Sequence, residues 1–504
     1  MYNLSLEEIK QILRKENYPV VIPLYKEIVV DTETPVSLFL KLASKEKYAY
    51  LLESAEANLR WGRYSFISFE PYILFSYYNN KNICLVKNGT KKLFVNTSLF
   101  DKLKTLLNLY KLPKSLGNNL PRFFGGFVGY LSWEIVNLIE KKVKIPKKDE
   151  FKNIPLVYLM FNKTVLIYDH YLNKLKVVNL IIVEDKKDNI EDLYNETVEK
   201  INNIISTICT TISITKELDF SLSFNKKILN EYKPLKQKNE FVNIVKKAKE
   251  YVLNGDIIQV VLSNRWEKNT TATPFDIYRA LRTINPSPYM FYLKFDDFIL
   301  IGSSPEILVR KEKDIVETRP IAGTRPRGLT EEEDNFYEKD LISSEKENAE
   351  HIMLVDLARN DIGKVSKTGS ITLPEFKIIE KFSHVMHLVT SVKGVLKKGY
   401  DCIDVLKATF PAGTVSGAPK VRAMQIISEL ENTTRGPYAG SVGYFSLTGD
   451  MDMAITIRTI IYNNKTVFVQ TGAGIVADSI PKKEYEETIN KAKALFLAIK
   501  IAES

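Results

Sequence analysis

The sequence predicts an α+β protein whose sheets are mostly antiparallel. Apolar–polar alternation of strand type recurs through the first half, in YAYLLES, YSFISF, YILFSYY, NICLVKNG and KLFVN. Neighbouring runs are joined by short turns rather than helices, whereas a doubly wound parallel sheet needs a long crossover at every step. The one hint of a dinucleotide-binding βαβ unit, Gly472-x-Gly474-x-x-Ala477 in VFVQTGAGIVADSIPKKEYEET, lacks its context. That fingerprint works where a helix begins at once after the strand. Here Asp478-Ser479-Ile480-Pro481 intervenes, Pro481 suits a first helical turn, and no second parallel strand follows.

Taken in chain order, SLEEIKQILRKE is an amphipathic first helix with Ser5 as N-cap, too charged for a signal peptide. Strands follow. RFFGGFVGYLSWE packs three glycines among aromatics, which predicts backbone crowding inside a sheet. VYLMFNKTVLIYDH and KLKVVNLIIVED continue the β pattern, and a helical period occupies roughly 187–210. A polar Lys/Asn-rich passage up to about 240 marks the boundary between an N-terminal region, 1–225, and a second region, 237–504. The second region alternates helix 241–254, strand 257–266, helix 274–283 and the hairpin-like YMFYLKF and FILIGSS. Strands at ILVRK and DIVETRP precede a helix from Ser344 to about Arg359, opened by the capping-box pattern Ser344-x-x-Glu347. Strand-like HVMHLVTSV, helices near Ile403 and Lys420, and the strands AGSVGYFS, MDMAITIRTIIY and TVFVQ complete the chain.

Composition narrows the function classes. With 504 residues and 45% hydrophobic content the chain is globular, enough for two or three domains or one two-lobed body. No run of about 18 apolar residues occurs, so no membrane span is expected. Cys84, Cys209 and Cys402 lie far apart with no CxxC, which suits a reducing cytoplasm and argues against structural zinc. The net charge of +10 comes from scattered lysines without an aromatic-interleaved basic motif, so a solvated surface is favoured over nucleic-acid binding. The same field would draw a small acidic substrate.

Two acidic pairs stand out, Glu347-x-x-Glu350 and Glu484-x-x-Glu487, each on one helix face. Ordinary surface acid is the bland alternative. Two pairs near helix starts, with no obvious arginine partners, suit a hard cation such as Mg²⁺, which takes one or two protein carboxylates. PAGTVSGAPK fails as a P-loop because its glycines are too close and no Ser or Thr follows Lys420. It remains a possible anion cradle. ETRPIAGTRPRG is either a structural turn or a source of N–H groups and arginine charge for a carboxylate. Gly472-Ala473-Gly474, read as a glycine turn after the strand TVFVQ, permits the same close approach. Arg458 is either a snorkelling edge residue or an inward carboxylate clamp. His384 and His387 are three apart in a strand-like run, hence on opposite faces, which argues against a shared metal. Glu306 follows a Ser-Ser-Pro turn where a partly desolvated carboxyl could act as general acid.

Together these stretches resemble the chorismate-utilising enzymes, most closely the anthranilate synthase component I branch. The resemblance runs nearly end to end through LLESAE, NPSPYMFYL, GSSPE, ETRPIAGTRPRG, AEHIMLVDLARND, FPAGTVSGAPK, GPYAGSVGY, IRT and TGAGIVADSIPKKEYEET, in the family's order. It implies large antiparallel sheets packed face to face, with helices outside and two interleaved lobes. It also implies Glu350 and Glu487 as Mg²⁺ ligands, with Glu347 and Glu484 beside them. Tyr438, Arg458 and Gly472, Ala473 and Gly474 would bind chorismate's carboxylates; Gly323 and Thr324 would line the ring, with Thr414 close by. Glu306 would protonate the departing C4 hydroxyl, assisted by His387, and Thr324 and Gln259 would complete the catalytic set.

Two positions bear on the branch. Gln259 stands where water-using isochorismate and salicylate synthases carry a base lysine, and a neutral amide cannot deprotonate water. Ala322 in PIAGT stands where aminodeoxychorismate synthases carry lysine. Both favour anthranilate formation over those alternatives, and a non-catalytic binding protein is the remote one. Trp133-Glu134 departs from the family's usual Tyr-Asp or Tyr-Glu, with little consequence expected. Leu52, Glu53 and Ser54 with Pro288, Tyr289 and Met290 match the family's tryptophan pocket, although simple packing would also account for them. No glutaminase nucleophile motif is present. The resemblance therefore implies a glutamine amidotransferase partner, anthranilate synthase component II, in a cytoplasmic two-plus-two heterotetramer without nucleic acid or membrane.

Overall fold

The computed structural model describes residues 1–504 apart from 56–61, 80–81, 111, 118, 147, 149–150, 152, 212–215 and 382–384. Two 12-stranded sheets carry the architecture, and among the described residues every strand pairing is antiparallel. The first sheet holds, in its middle, Tyr48–Glu53, Tyr289–Phe295, Phe298–Ser304, Thr459–Asn463, Thr466–Ile475 and Gln259–Asn269. The second runs through Ile321–Pro326, Val385–Val395, Ile315–Thr318, Ile307–Glu312, Met451–Ile455, Ser441–Ser446 and Gly126–Leu131.

Each sheet takes strands from both sides of the polar passage near 226–236. Met290 lies opposite Glu53 in the first sheet, and Gly129 opposite Gly443 in the second. Gly129 has no room for a side chain, since a Cβ there would sit 1.9 Å from the Tyr158 carbonyl oxygen. That is the crowding expected of RFFGGFVGY. One apolar core, including Phe75, Tyr130, Leu262, Leu300, Val309 and Met453, draws on both sheets and fills the space between them. A second core lies between the first sheet and its helices, with Ile204, Ile277 and Phe496 packed against Leu51, Ile301 and Val469. Alternate strand residues therefore face two different cores, which is why these strands are apolar on both sides.

Helices begin where their caps are. Ser5 and Glu8 form a capping box on Leu6–Leu13, and Pro481 occupies the first turn of Pro481–Glu503. Three helices of eight or more residues go unread in the sequence, Pro35–Leu42, Leu99–Leu109 and Glu331–Ser343, although Thr34, Ser98 and Thr330 cap them. The last buries only Asp334 and Leu341 and opens with four consecutive acids, so no apolar stripe reveals it.

Candidate active site

Two crossings between the sheets bring the first site residues together. The chain leaves the first sheet at Ser304 and enters the second at Ile307, with Glu306 in the gap. It returns between Ile455 and Thr459, with Arg458 in that gap. The crossings are stitched together. The Ser303 N–H donates to the Arg458 carbonyl at 3.0 Å, and the Ile455 N–H donates to the Glu306 carbonyl at 3.0 Å. Arg458 is thus not a strand residue; it has left-handed backbone, φ 50°. Its guanidinium points inward, donates to the Lys491 carbonyl, and has its pKa lowered by burial despite the nearby Tyr438 and Glu487.

Burial pushes the Glu306 carboxyl up to about 8, against smaller opposing effects from the Thr414 hydroxyl and Lys491. A carboxyl in that state is mostly protonated at neutral pH and able to donate. Thr414 sits in the short 3₁₀ turn Gly413–Val415. The lysine of the same motif is not offered to an anion: Lys420 pairs with Asp361 and donates to the Pro411 carbonyl at 2.8 Å.

Helix Glu345–Gly363 is capped by Ser344, whose hydroxyl accepts from the Glu347 N–H at 3.4 Å. Glu347 faces Gly323 and Glu350 faces Gln259 from this helix. The Glu350 pKa is raised by burial and by Glu347, and Gln259 Nε2 donates to Glu350 Oε1 at 3.2 Å. Glu484 is raised by burial and by Glu487. Lys346 and Lys491 act on both Glu350 and Glu484, so the two acidic pairs share one electrostatic neighbourhood. The pairs are not without cationic partners, as the sequence suggested. Lys491 lies 2.6 Å from Glu487, and Arg325 lies 3.5 Å from Glu347. Among the described residues no three acids, histidines or cysteines converge on one point.

The remaining stretches need two corrections. Gly472 to Gly474 are not a turn; they lie within strand Thr466–Ile475, opposite Ser263 to Val261. Their bare backbone makes room for partners, since a Cβ on Gly472 would sit 2.7 Å from the Tyr438 hydroxyl and one on Gly474 2.7 Å from Gln259 Nε2. The arginines of ETRPIAGTRPRG are taken by the protein itself: Arg319 by Glu375 and Glu380, Arg325 by Asp340 and Glu347, Arg327 by Asp334. What that motif offers the site is backbone and hydroxyl. Gly323, φ 64°, sits at an irregularity of its strand pairing, and a Cβ there would meet Leu341 at 2.8 Å and Glu347 at 3.1 Å. His387 Nδ1 donates to the Gly323 carbonyl at 2.8 Å and lies 3.1 Å from the Thr324 hydroxyl. Burial lowers its pKa, so the ring is held neutral with its proton on Nδ1. His384 falls outside the described residues.

With this geometry in place, comparison with known proteins is decisive. Residues 47–497 match the family model described as chorismate binding enzyme. The chain belongs to that family. Among curated relatives, "Anthranilate synthase component 1" of Aquifex aeolicus (strain VF5) is 52% identical, covering 99% of this chain and 98% of its own. The protein of the same name from Acetivibrio thermocellus is 47% identical, covering 100% and 99%. The crystal structure of anthranilate synthase component I from Streptococcus pneumoniae TIGR4 superposes with a TM-score of 0.74 at 36% identity, covering 93% of this chain and 99% of that one.

Sequence reasoning about this family member missed Lys491. Its ammonium donates to the Gly472 carbonyl at 3.0 Å, pairs with Glu487, and lowers the pKa values of Glu306, Glu350 and Glu484. The available signal was its spacing, since a lysine four residues after Glu487 and seven after Glu484 shares their helix face.

A second pocket lies where the two halves of the first sheet join. Leu52, Glu53, Ser54, Pro288, Tyr289 and Met290 all line it, as do Arg122, Arg310, Tyr444 and Asp452. Glu53 accepts from the Tyr278 hydroxyl and from Arg282 Nε at 3.1 Å. The Ser54 hydroxyl is buried with no hydrogen-bond partner among the described residues.

Proposed function

We propose that this chain is the chorismate-binding component of an anthranilate synthase, converting chorismate and ammonia to anthranilate and pyruvate. The observation that carries the choice of nucleophile is Gln259. It is a buried neutral amide, it hydrogen-bonds Glu350, and it occupies the place where water-using relatives carry a base lysine. Ala322, buried in its strand, likewise leaves no amine to attack the ring. Ammonia brings its own lone pair and needs neither.

In this reading Glu306, protonated at neutral pH, donates to the departing C4 hydroxyl while ammonia adds at C2. Neutral His387, fixed by the Gly323 carbonyl, lies with Thr324 along the ring. Tyr438, Arg458, Lys491 and the bare strand at Gly472–Gly474 hold the carboxylates. Loss of pyruvate then makes the ring aromatic, which drives the reaction forward. In each acidic pair one carboxyl, Glu350 or Glu484, is pushed up by burial and by its like-charged neighbour, which fits a hard cation that asks for one or two carboxylates. Glu350 and Glu487 would hold Mg²⁺, with Glu347 and Glu484 beside them, and the ion would bind and polarise the ring carboxylate.

Tryptophan would occupy the pocket beside Glu53 and inhibit, supported by the lining residues and the unpartnered Ser54 hydroxyl. Ammonia would come from a separate glutamine amidotransferase subunit in a cytoplasmic two-plus-two assembly. The three cysteines are far apart, and burial pushes the Cys402 thiol up to about 12, the opposite of an activated nucleophile. The test is chorismate turnover with Mg²⁺ and ammonium, read by anthranilate fluorescence. Aminodeoxychorismate as product, or isochorismate formed from water alone, would overturn the proposal. The single chain is expected to ignore glutamine until the partner is added; anthranilate made from glutamine without it would remove the partner.

A further inference from the structure

Glu306 has a second neighbour that the chemistry above leaves unused. Behind it lies a cavity of about 30 Å³, room for about two waters. Its walls follow helix Glu345–Gly363 away from the glutamate pairs, through Leu354, Leu357 and Ala358 to Asp361. Thr409 and Thr318 add hydroxyls on the other sides, and Glu306 and Thr414 close the inner end. At the outer end Asp361 is held between two lysines, the buried Lys420 and the exposed Lys364 at 3.0 Å.

The reaction creates a need at this point. Each turnover moves one proton from Glu306 to the C4 oxygen as the C4–O bond breaks and water departs. Glu306 is left as a buried carboxylate, and the matching proton is lost from the added nitrogen on the substrate side. We propose that the cavity is the path by which Glu306 regains its proton from solvent between turnovers, with the Asp361 carboxylate, held by its two lysines, orienting the water at its far end. Asp361 touches no substrate atom and acts through Glu306. The inference rests on the anthranilate synthase reading. An aqueous path suits the geometry better than an ammonia route, because the cavity reaches Glu306, the proposed proton donor to the C4 oxygen, whereas ammonia must reach C2.

Two variants of the full chain test this with saturating ammonium and Mg²⁺. Asp361→Asn is expected to lower kcat about tenfold with kcat/KM for chorismate unchanged, and to raise the solvent deuterium isotope effect on kcat. Ala358→Leu, which fills the cavity but leaves Asp361 and Lys420 in place, is expected to do the same and decides the matter if Asp361→Asn does not fold. Unchanged kcat in the folded variants overturns the proposal, as does a joint fall of kcat and kcat/KM with no change in isotope effect, which marks a packing role. A raised KM for ammonium with kcat intact makes the cavity a nucleophile route instead. Wild-type chain that forms no anthranilate removes the function itself, before either variant is compared.

Discussion

The cleft around Glu306 and the pocket around Glu53 are both buried, both polar and only a few strands apart, yet they handle charge differently. In the pocket the acids are matched. Asp452 accepts from Arg310 at 2.7 Å, Arg122 at 3.3 Å and the Tyr289 hydroxyl at 3.0 Å, and Glu53 is held by Arg282 and Tyr278. In the cleft Glu306, Glu350 and Glu484 all have raised pKa values, with burial the first cause of each. An acid matched by cations and hydroxyls fixes structure; an acid desolvated beside other acids waits for a proton or a cation. Under the proposed function, the difference separates the reacting site from the tryptophan site. The two are mechanically joined, because strand Tyr289–Phe295 turns directly into the strand ending before Glu306. Asp452 lies on the strand that ends before Arg458.

The contrast breaks most completely at the proposed metal ligands. Glu350→Gln and Glu487→Gln are each expected to abolish Mg²⁺-dependent turnover while leaving the circular dichroism spectrum unchanged. Near-normal rates at saturating Mg²⁺ in both would withdraw the metal assignment. Glu306→Gln is next, with kcat falling on the order of 10²–10⁴-fold and chorismate affinity little altered, because a general acid acts in the transition state. Raised KM with intact kcat would make Glu306 a binding residue only.

The raised Glu306 pKa also sets a pH limb. The donor form is lost as pH rises through about 8, so kcat/KM for chorismate at fixed free ammonia should fall about tenfold for each pH unit above that point. At fixed total ammonium the rising free-amine fraction opposes this, giving a bell. A profile at fixed free ammonia that stays flat through pH 9 would contradict the assignment of Glu306 as donor. The smallest effects belong to the matched pocket. Ser54→Ala or Met290→Thr should weaken tryptophan inhibition roughly five- to 150-fold, the usual span of a site-to-site coupling, with uninhibited turnover nearly unchanged. By reciprocity chorismate should weaken tryptophan binding, and calorimetric titrations giving equal affinities with and without chorismate would exclude the coupling.

Much of this molecule was set locally and could be read from residues in a row. Antiparallel strands joined by short turns, the caps at Ser5 and Ser344, Pro481 opening the last helix and the paired glutamates at i, i+3 all depend on interactions within a few residues. Gly129 announced crowding because nothing larger fits there. Other features depend on groups far apart in the chain. Arg458 looked like a strand residue until two sheets proved to exchange strands at that point. The glycines at Gly472 and Gly474 looked like a turn, but they are a strand kept bare for Tyr438 and Gln259, which approach from elsewhere in the chain. The arginines near Gly323 looked available until acids on a polar helix and an added strand took them. Lys491 became visible as a site residue only once its helix was laid against Gly472. Charge partners and desolvation act through space, so the sequence named the reactive groups, and packing decided which were neutralised and which were left to react.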